Sequence, residues 1–553
     1  SSEMINKNLM RFSHLFTILV LFILYPSVLK SQNIQVVAAK GIYTINDSFE
    51  VVESMVIGDG KIIFLGTLDS ALKSYPLATV NKYKGYIYPG FIDAHCHLLG
   101  FAKMRLQANL VGVKSKAKVI SVIQKFYKES SPEWVLGSGW DQNLWKSYPD
   151  LATLDEAYPN TPVFLKRIDG HAAWINTKAM DLINLDINKS VEGGTFVMKN
   201  GKFTGVLVDN AVEMVEQFLP EIDKNSLNGS LFEVTKQCLA EGVTAIADAG
   251  LEVEEIQYLI SRQHKGALPL RIHAMLSASN ASFSYLSIHP HLNGPRLQAR
   301  AMKFYLDGAL GSHGALMKRP YCDRNSSYGL QLISTQDFYG RAIFAHSKGM
   351  QVCAHAIGDS AAKIFTEIAK KVLTPGNDYR WRMEHAQIVE PNEMRTMREY
   401  GLYPSVQPTH ATSDAKWAAS RICNDRLKNS YAYRALLDSC GIIALGTDFP
   451  VESTNPLNTF YSAVFRKDRN CNLKNPFFVN QALTRMETLR GMTIWAAKSN
   501  FMETKVGSLE IGKLADFVVL DVDLMNASDK AIRKAKVKRT AMQGVTLFAK
   551  DKK

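Results

Sequence analysis

The stretch Tyr88-Pro89-Gly90-Phe91-Ile92-Asp93-Ala94-His95-Cys96-His97 decides the fold. It starts as an apolar, strand-prone run and ends in His-x-His. Side chains i and i+2 of a strand point to the same side, so this strand aims two imidazoles at one point. In a (β/α)8 barrel that point is the C-terminal mouth, where active sites sit. Further along the chain, ligand-type residues again end apolar runs. Lys303 lies in Ala-Met-Lys-Phe-Tyr-Leu-Asp-Gly, His355 ends Gln-Val-Cys-Ala-His, His385 ends Arg-Met-Glu-His, and Asp448 ends Ile-Ile-Ala-Leu-Gly-Thr-Asp. His355 and His385 are about one β/α unit apart, and His385 and Asp448 about two. A barrel brings such strand ends together around one axis. Taken singly, a histidine at a strand end is more often a satisfied polar group, Asp448 a cap and Lys303 a half-buried amine. Four histidines and an aspartate in register are hard to explain that way.

Candidate strands are Ile87–His95, Trp134–Ser138, Val163–Arg167, Val243–Asp248, Arg271–Met275, Met302–Leu306, Gln351–His355, Arg382–His385, Leu402–Gln407 and Ile442–Asp448. Helical stretches such as Ala361–Val372 lie between several of them, which indicates parallel α/β architecture. The strands outnumber the eight a barrel needs, so some belong to an inserted subdomain at about 100–235. Ile34–Thr44 and Val52–Leu65, with turns at Asn46-Asp47 and Gly58-Asp59-Gly60, read as strands. So do parts of Gly507–Leu520 and Val537–Leu547. The expected organisation is a barrel over 89–502 and a small β-sandwich assembled from 33–88 and 503–553. A second His-x-His, His289-Pro290-His291, runs into Asn293-Gly294-Pro295 and reads as a loop.

Composition excludes several classes. Hydrophobic residues are 46% and charged residues 21% of 553, ordinary for a soluble globular chain. Disorder, collagen and a polytopic membrane protein are excluded. Seven scattered cysteines without a CxxC pair argue against a disulfide framework and a thiolate zinc site. Lys7 and Arg11 before the apolar run Leu15–Tyr25, then Ser27 and Ser31, follow the pattern of a secretory signal peptide over 1–32. The run falls short of the roughly 20 apolar residues of a membrane span. The expectation is a secreted or periplasmic protein with no membrane span once the leader is cleaved; the alternative is an uncleaved anchor. The net charge is +13. Residues 1–32 hold Lys7, Arg11 and Lys30 against Glu3, so two of those charges leave with the leader. No basic helix, finger or aromatic-interleaved basic stripe supports nucleic-acid binding, and oligomeric state is not legible.

The motifs PGFIDAHCHL, GWDQNLW (139–145), RIDGHAAWINTKA (167–179), GVTAIADAG (242–250), KFYLDGALGSHGA (303–315), AHAIGD (354–359), RMEHAQ, QPTHATSD (407–414), LGTDFPVE (445–452) and GSLEIGKLADFVVLD span nearly the whole chain after the leader. Together they resemble the amidohydrolase superfamily, in the branch of N-substituted formamide deformylases and YtcJ-like hydrolases. The resemblance implies a (β/α)8 barrel with a β-sandwich from both termini. It implies one or two divalent metal ions. His95 and His97 match the ligands of one, His355 and His385 those of a second. Lys303 matches a lysine that carbon dioxide can carbamylate into a bridging anion. Asp448 matches the catalytic aspartate and metal neighbour, and His171 a histidine near the substrate. Zinc suits so histidine-rich a set best, with iron or manganese as alternatives. The implied reaction is hydrolysis of a small-molecule, non-peptide amide by metal-activated water, with Asp448 as proton shuttle. Deamination, cyclic amide opening and ester cleavage would use the same ligands, and a non-catalytic secreted binding protein is a further alternative. The chain departs from the family at His313-Gly314, where relatives carry Arg-Thr; His313 is therefore a candidate neighbour of the metal site. Trp140, Trp145, Trp174 and Trp417 are candidates for a pocket lining or for core aromatics.

Overall fold

In the computed structural model, residues 34–145 and 147–550 are described. The expected leader, residues 1–32, lies outside them. Eight parallel strands form the barrel in the order β1 (Phe91–Cys96), β2 (Val243–Leu251), β3 (Arg271–Ser277), β4 (Leu297–Tyr305), β5 (Gln351–Ala356), β6 (Arg382–His385), β7 (Tyr403–Val406) and β8 (Ala444–Leu445). A short strand, Leu292–Asn293, adds an antiparallel pair to β4.

Strands β1, β5 and β6 are buried at every position. Strands covered on both faces read as near-continuous apolar runs in this way. The helix Asp359–Val372, which follows β5, turns Ala361, Ala362, Phe365, Ile368 and Ala369 inward at helical spacing. Burying a side chain such as Phe365 contributes about 1.5–3 kcal/mol. Helix starts are fixed locally. The Ser334 hydroxyl accepts from the amide of Asp337 at the head of Thr335–Ser347, a cap worth roughly 1 kcal/mol.

The barrel closes without a β8–β1 ladder. Asp448 donates its amide to His95 O (2.8 Å), and His97 donates to Phe449 O (2.8 Å). The Asp93 carboxylate accepts from the Thr447 amide (3.0 Å) and hydroxyl (2.6 Å). Gly446 makes this approach possible, because a Cβ there would lie 2.6 Å from His95 N and 2.8 Å from Asp93 Oδ1. The expected strand Ile442–Asp448 is therefore shorter than its apolar run suggests. The expected strand Ile87–His95 also divides. Tyr86–Pro89 belongs to another sheet, and Gly90 packs where a Cβ would meet Thr244 at 2.3 Å.

Two of the ten expected strands lie elsewhere. Val135–Trp140 and Val163–Arg167 belong to a six-stranded sheet built from segments between Ala108 and Asp209, all inside the β1–β2 connection. The chain ends build a third sheet, of eight strands. Its two parts join where Phe517–Leu520 pairs antiparallel with Tyr86–Pro89.

One expectation about cysteine needs correction. Cys322 and Cys423 form a disulfide across 101 residues, with Cα atoms 5.8 Å apart. It ties the β4–β5 connection to the β7–β8 connection, a pairing that cysteine spacing along the chain does not reveal. Among the described residues, no helix is long and apolar enough to cross a membrane.

Candidate metal centre

At the mouth, the strand ends converge on Asp448. His95 Nε2 lies 3.5 Å and His97 Nε2 3.2 Å from Asp448 Oδ1. The His95 ring is 4.9 Å from His385, and His385 is 4.5 Å from His355. Ligand atoms of His95, His385 and Asp448 all lie within 4.8 Å of one another. His171, from the inserted unit, reaches the same place, with its ring 4.9 Å from that of His355. Lys303 is 1% exposed, and its amine lies 5.0 Å from the centre of the Tyr305 ring.

Backbone conformation helps aim these groups. His385 (φ 71°) and Asp448 (φ 61°) both occupy the left-handed region. Non-glycine residues hold such strained conformations only where the surroundings enforce them, commonly at functional sites.

Outer partners set each ring. His95 Nδ1 and Glu384 Oε2 are 2.6 Å apart. Arg382 holds Glu384 through its Nε at 2.7 Å. His97 Nδ1 contacts Ala249 O at 3.0 Å, and His385 Nδ1 contacts Gln407 Oε1 at 2.8 Å. In each case the Nδ1 side is occupied and Nε2 is left to face the site. A histidine whose second nitrogen is fixed this way is the usual form of a metal ligand. His171 is held likewise, Nδ1 to Asp209 Oδ1 at 2.6 Å.

Several buried polar atoms here have no hydrogen-bond partner among the described residues. They are His95 Nε2, Lys303 Nζ, His410 Nε2 and Asp448 Oδ1. An unmade buried hydrogen bond costs about 1–3 kcal/mol, more for a charged group. Of these, His95 Nε2 and Asp448 Oδ1, with His385 beside them, fit a cation that the imidazoles and the carboxylate would hold.

The electrostatics agree. Burial, with Lys303 nearby, lowers the His95 pKa to about 4. Burial pushes His355 and His385 well below the ordinary histidine value. Neutral imidazole is the form that binds metal. Burial pushes the Asp448 carboxyl upward, but His97, His95 and His385 outweigh it and hold the group well below the ordinary range. Burial also lowers Lys303, which favours the neutral amine. Burial lowers His171, but Asp209 outweighs it and raises the group above its usual value.

Some expectations are corrected here. His313 turns away from the metal side, with Nε2 3.1 Å from Asp323 Oδ1. Arg421 pairs with the same aspartate, so His313 belongs to a link between mouth loops. Trp140 and Trp174 are core residues, and Trp145 packs against them. Trp417 is half-buried against the barrel core, with Arg421 over its ring.

Other residues of the site were not singled out from sequence. His410 Nε2 stands 3.5 Å from Asp448 Oδ2. Asp307 accepts from the amides of Leu316, Ile357 and Gly358 and lies 3.5 Å from His355 Nε2. Burial raises its pKa to about 7.

Residues 84–548 match the amidohydrolase family model. The chain is 30% identical over 536 residues to the Arabidopsis thaliana protein LONG AFTER FAR-RED 3, covering 92% of this chain and 90% of that one. It is 28% identical to the putative amidohydrolase YtcJ of Bacillus subtilis strain 168, covering 92% and 98%. It is 25% identical to the N-substituted formamide deformylase of Arthrobacter pascens, covering 90% and 95%. Among solved structures, a metal-dependent hydrolase from Pyrococcus horikoshii has the same fold, with TM-score 0.74, 24% identity, and 90% and 99% coverage.

Proposed function

Since the chain belongs to the amidohydrolase family, we propose that this metal-dependent hydrolase cleaves a non-peptide carbon–nitrogen bond in a small-molecule amide. The observation that carries the reading is the convergence of His95, His385 and Asp448, in which His95 Nε2 and Asp448 Oδ1 are unpartnered. His95, His97, His355, His385 and Asp448 would hold one or two divalent ions, with zinc the best match to such a donor set. A carbamate on Lys303 would add anionic oxygens where a protonated amine repels a cation. When bound, the metal supplies Lewis acidity and makes water acidic enough to attack near neutral pH.

The chain's own groups supply the rest. Asp448, kept anionic, accepts the proton of the attacking water and passes it to the leaving nitrogen. His171, oriented by Asp209, donates from Nε2 to the carbonyl oxygen as negative charge develops there. Arg382 and Glu384 fix His95. The relative that acts on N-substituted formamides supports an amide over an ester.

The test is a screen of zinc-replete protein against N-acyl amides, N-formyl amines and N-acyl amino acids, with esters, cyclic amides and aminopurines beside them. Release of an amine from one or more amides, abolished by chelation and restored by zinc, is the expected result. Turnover confined to esters or aminopurines would overturn the carbon–nitrogen assignment or redirect it to deamination.

A further inference from the structure

Tyr305 has no role in the mechanism above, although it is placed at the reacting centre. It follows Lys303 by two residues at the end of β4 and so shares its inward face. Its ring lies 5.9 Å from His355 and 6.4 Å from His171. The Tyr305 side chain is half-buried, and its hydroxyl makes no hydrogen bond to a described residue.

A second element makes room for that hydroxyl. Gly250 lies in β2 with φ 77°, and a Cβ built on it would sit 2.6 Å from the Tyr305 oxygen and 3.7 Å from Cζ. Any side chain at 250 would displace the hydroxyl while touching the ring only at ordinary distance. The glycine therefore seats one polar atom, carried on a ring whose centre is 6.4 Å from that of His171, the histidine that the mechanism uses as a donor.

We propose that the Tyr305 hydroxyl is a second donor to the substrate's carbonyl oxygen, acting with His171 Nε2 and seated by Gly250. A phenol is a single, protonated donor at neutral pH. Two donors converging on one oxygen stabilise the negative charge that develops during attack more than they stabilise the neutral carbonyl. The pair thus selects an oxygen acceptor in tetrahedral, anionic form, and Tyr305 is a catalytic residue that touches the substrate. This inference rests on the hydrolase reading, and the experiment separates the two.

The probe is methylphosphonate, a small tetrahedral oxyanion, titrated by calorimetry into zinc-replete protein. The variants are Tyr305→Phe, Gly250→Ala and the double variant, each with zinc per chain and thermal midpoint measured. Tyr305→Phe keeps the ring, so it should leave zinc content unchanged and weaken methylphosphonate binding about tenfold, as loss of one hydrogen bond to a charged group does. Gly250→Ala should weaken it similarly, and the double variant should be no weaker than either single one, because both remove the same contact. Any backbone strain from alanine at φ 77° would show in the thermal midpoint and not in this non-additivity. Affinity within threefold of wild type for Tyr305→Phe, additive effects in the double variant, or no methylphosphonate binding by the wild type would each overturn the inference. If no amide in the screen is cleaved but Tyr305→Phe still loses tenfold affinity, the proposed substrate falls and the oxyanion donor stands.

Discussion

At the base of the barrel, Arg271 reaches Asp516 of the terminal sheet through two hydrogen bonds of 2.7 and 3.1 Å. At the mouth, Asp448 lies 3.2 to 3.5 Å from three imidazoles, and its Oδ1 makes no hydrogen bond of good geometry among the described residues. Both aspartates are buried among cationic or cation-forming partners. At the base the partner is a guanidinium, which matches a carboxylate with two parallel donors. Gln351, the first residue of β5, likewise donates to Arg380 O and Ser499 O. At the mouth the partners are imidazoles, and those of His95 and His97 already have their outer nitrogens engaged. At the base the buried carboxylate of Asp516 meets two matched donors, whereas at the mouth Asp448 Oδ1 and His95 Nε2 meet none. Position along the same parallel strands separates a structural end from a reactive one.

The largest test of that contrast is Asp448→Asn. The amide keeps the size of the side chain and loses the proton acceptor. We expect bound zinc to stay near the wild-type amount and turnover on a cleaved amide to fall about 10³-fold, within the range for a lost general acid–base group. Metal content by plasma emission and initial rates check both. Full activity would remove Asp448 from proton transfer. The matching change at the base is Arg271→Met, which leaves Asp516 buried without its partner. Breaking such a pair costs about 3–5 kcal/mol, to be read as a lowered urea midpoint. Turnover at 20 °C should stay within about twofold of wild type. If Arg271→Met instead lost activity and kept its stability, the division between the two ends would be wrong.

The same contrast explains what the sequence shows and what it hides. His95, His355 and His385 close apolar runs, and a strand's direction converts each ending into a position at the mouth. His410 escapes that logic because Pro408 starts a helix after β7, and the histidine sits inside its first turn. The i+2 relation to Lys303 did carry a signal for Tyr305, but an aromatic in a barrel strand has an ordinary core reading. β8 is shorter than its apolar run implies, because Gly446 and the φ 61° turn at Asp448 take the chain out of the sheet. The Cys322–Cys423 bridge joins connections brought together only by barrel closure. Base pairs such as Arg271–Asp516 link residues far apart in sequence, and no local pattern marks them.

The smallest expected effect concerns a base residue that resembles the mouth. His273, in β3, is fully buried, and its Nδ1 accepts from Gln298 at 2.9 Å. Burial, with Arg382 nearby, lowers its pKa to about 3, against about 6.5 in an unfolded chain. The folded protein therefore keeps this ring neutral over a range where the unfolded chain binds a proton. Stability from this residue is fully present above about pH 6.5 and is lost as pH falls from there towards 3, at up to about 1.4 kcal/mol per unit. His273→Gln removes the titration. Its urea midpoint should fall less steeply than wild type between pH 6.5 and 5, even if the variant is less stable at pH 7. Parallel slopes would mean that water or a proton reaches His273 in the folded state, and the base would then be open in the way the mouth is.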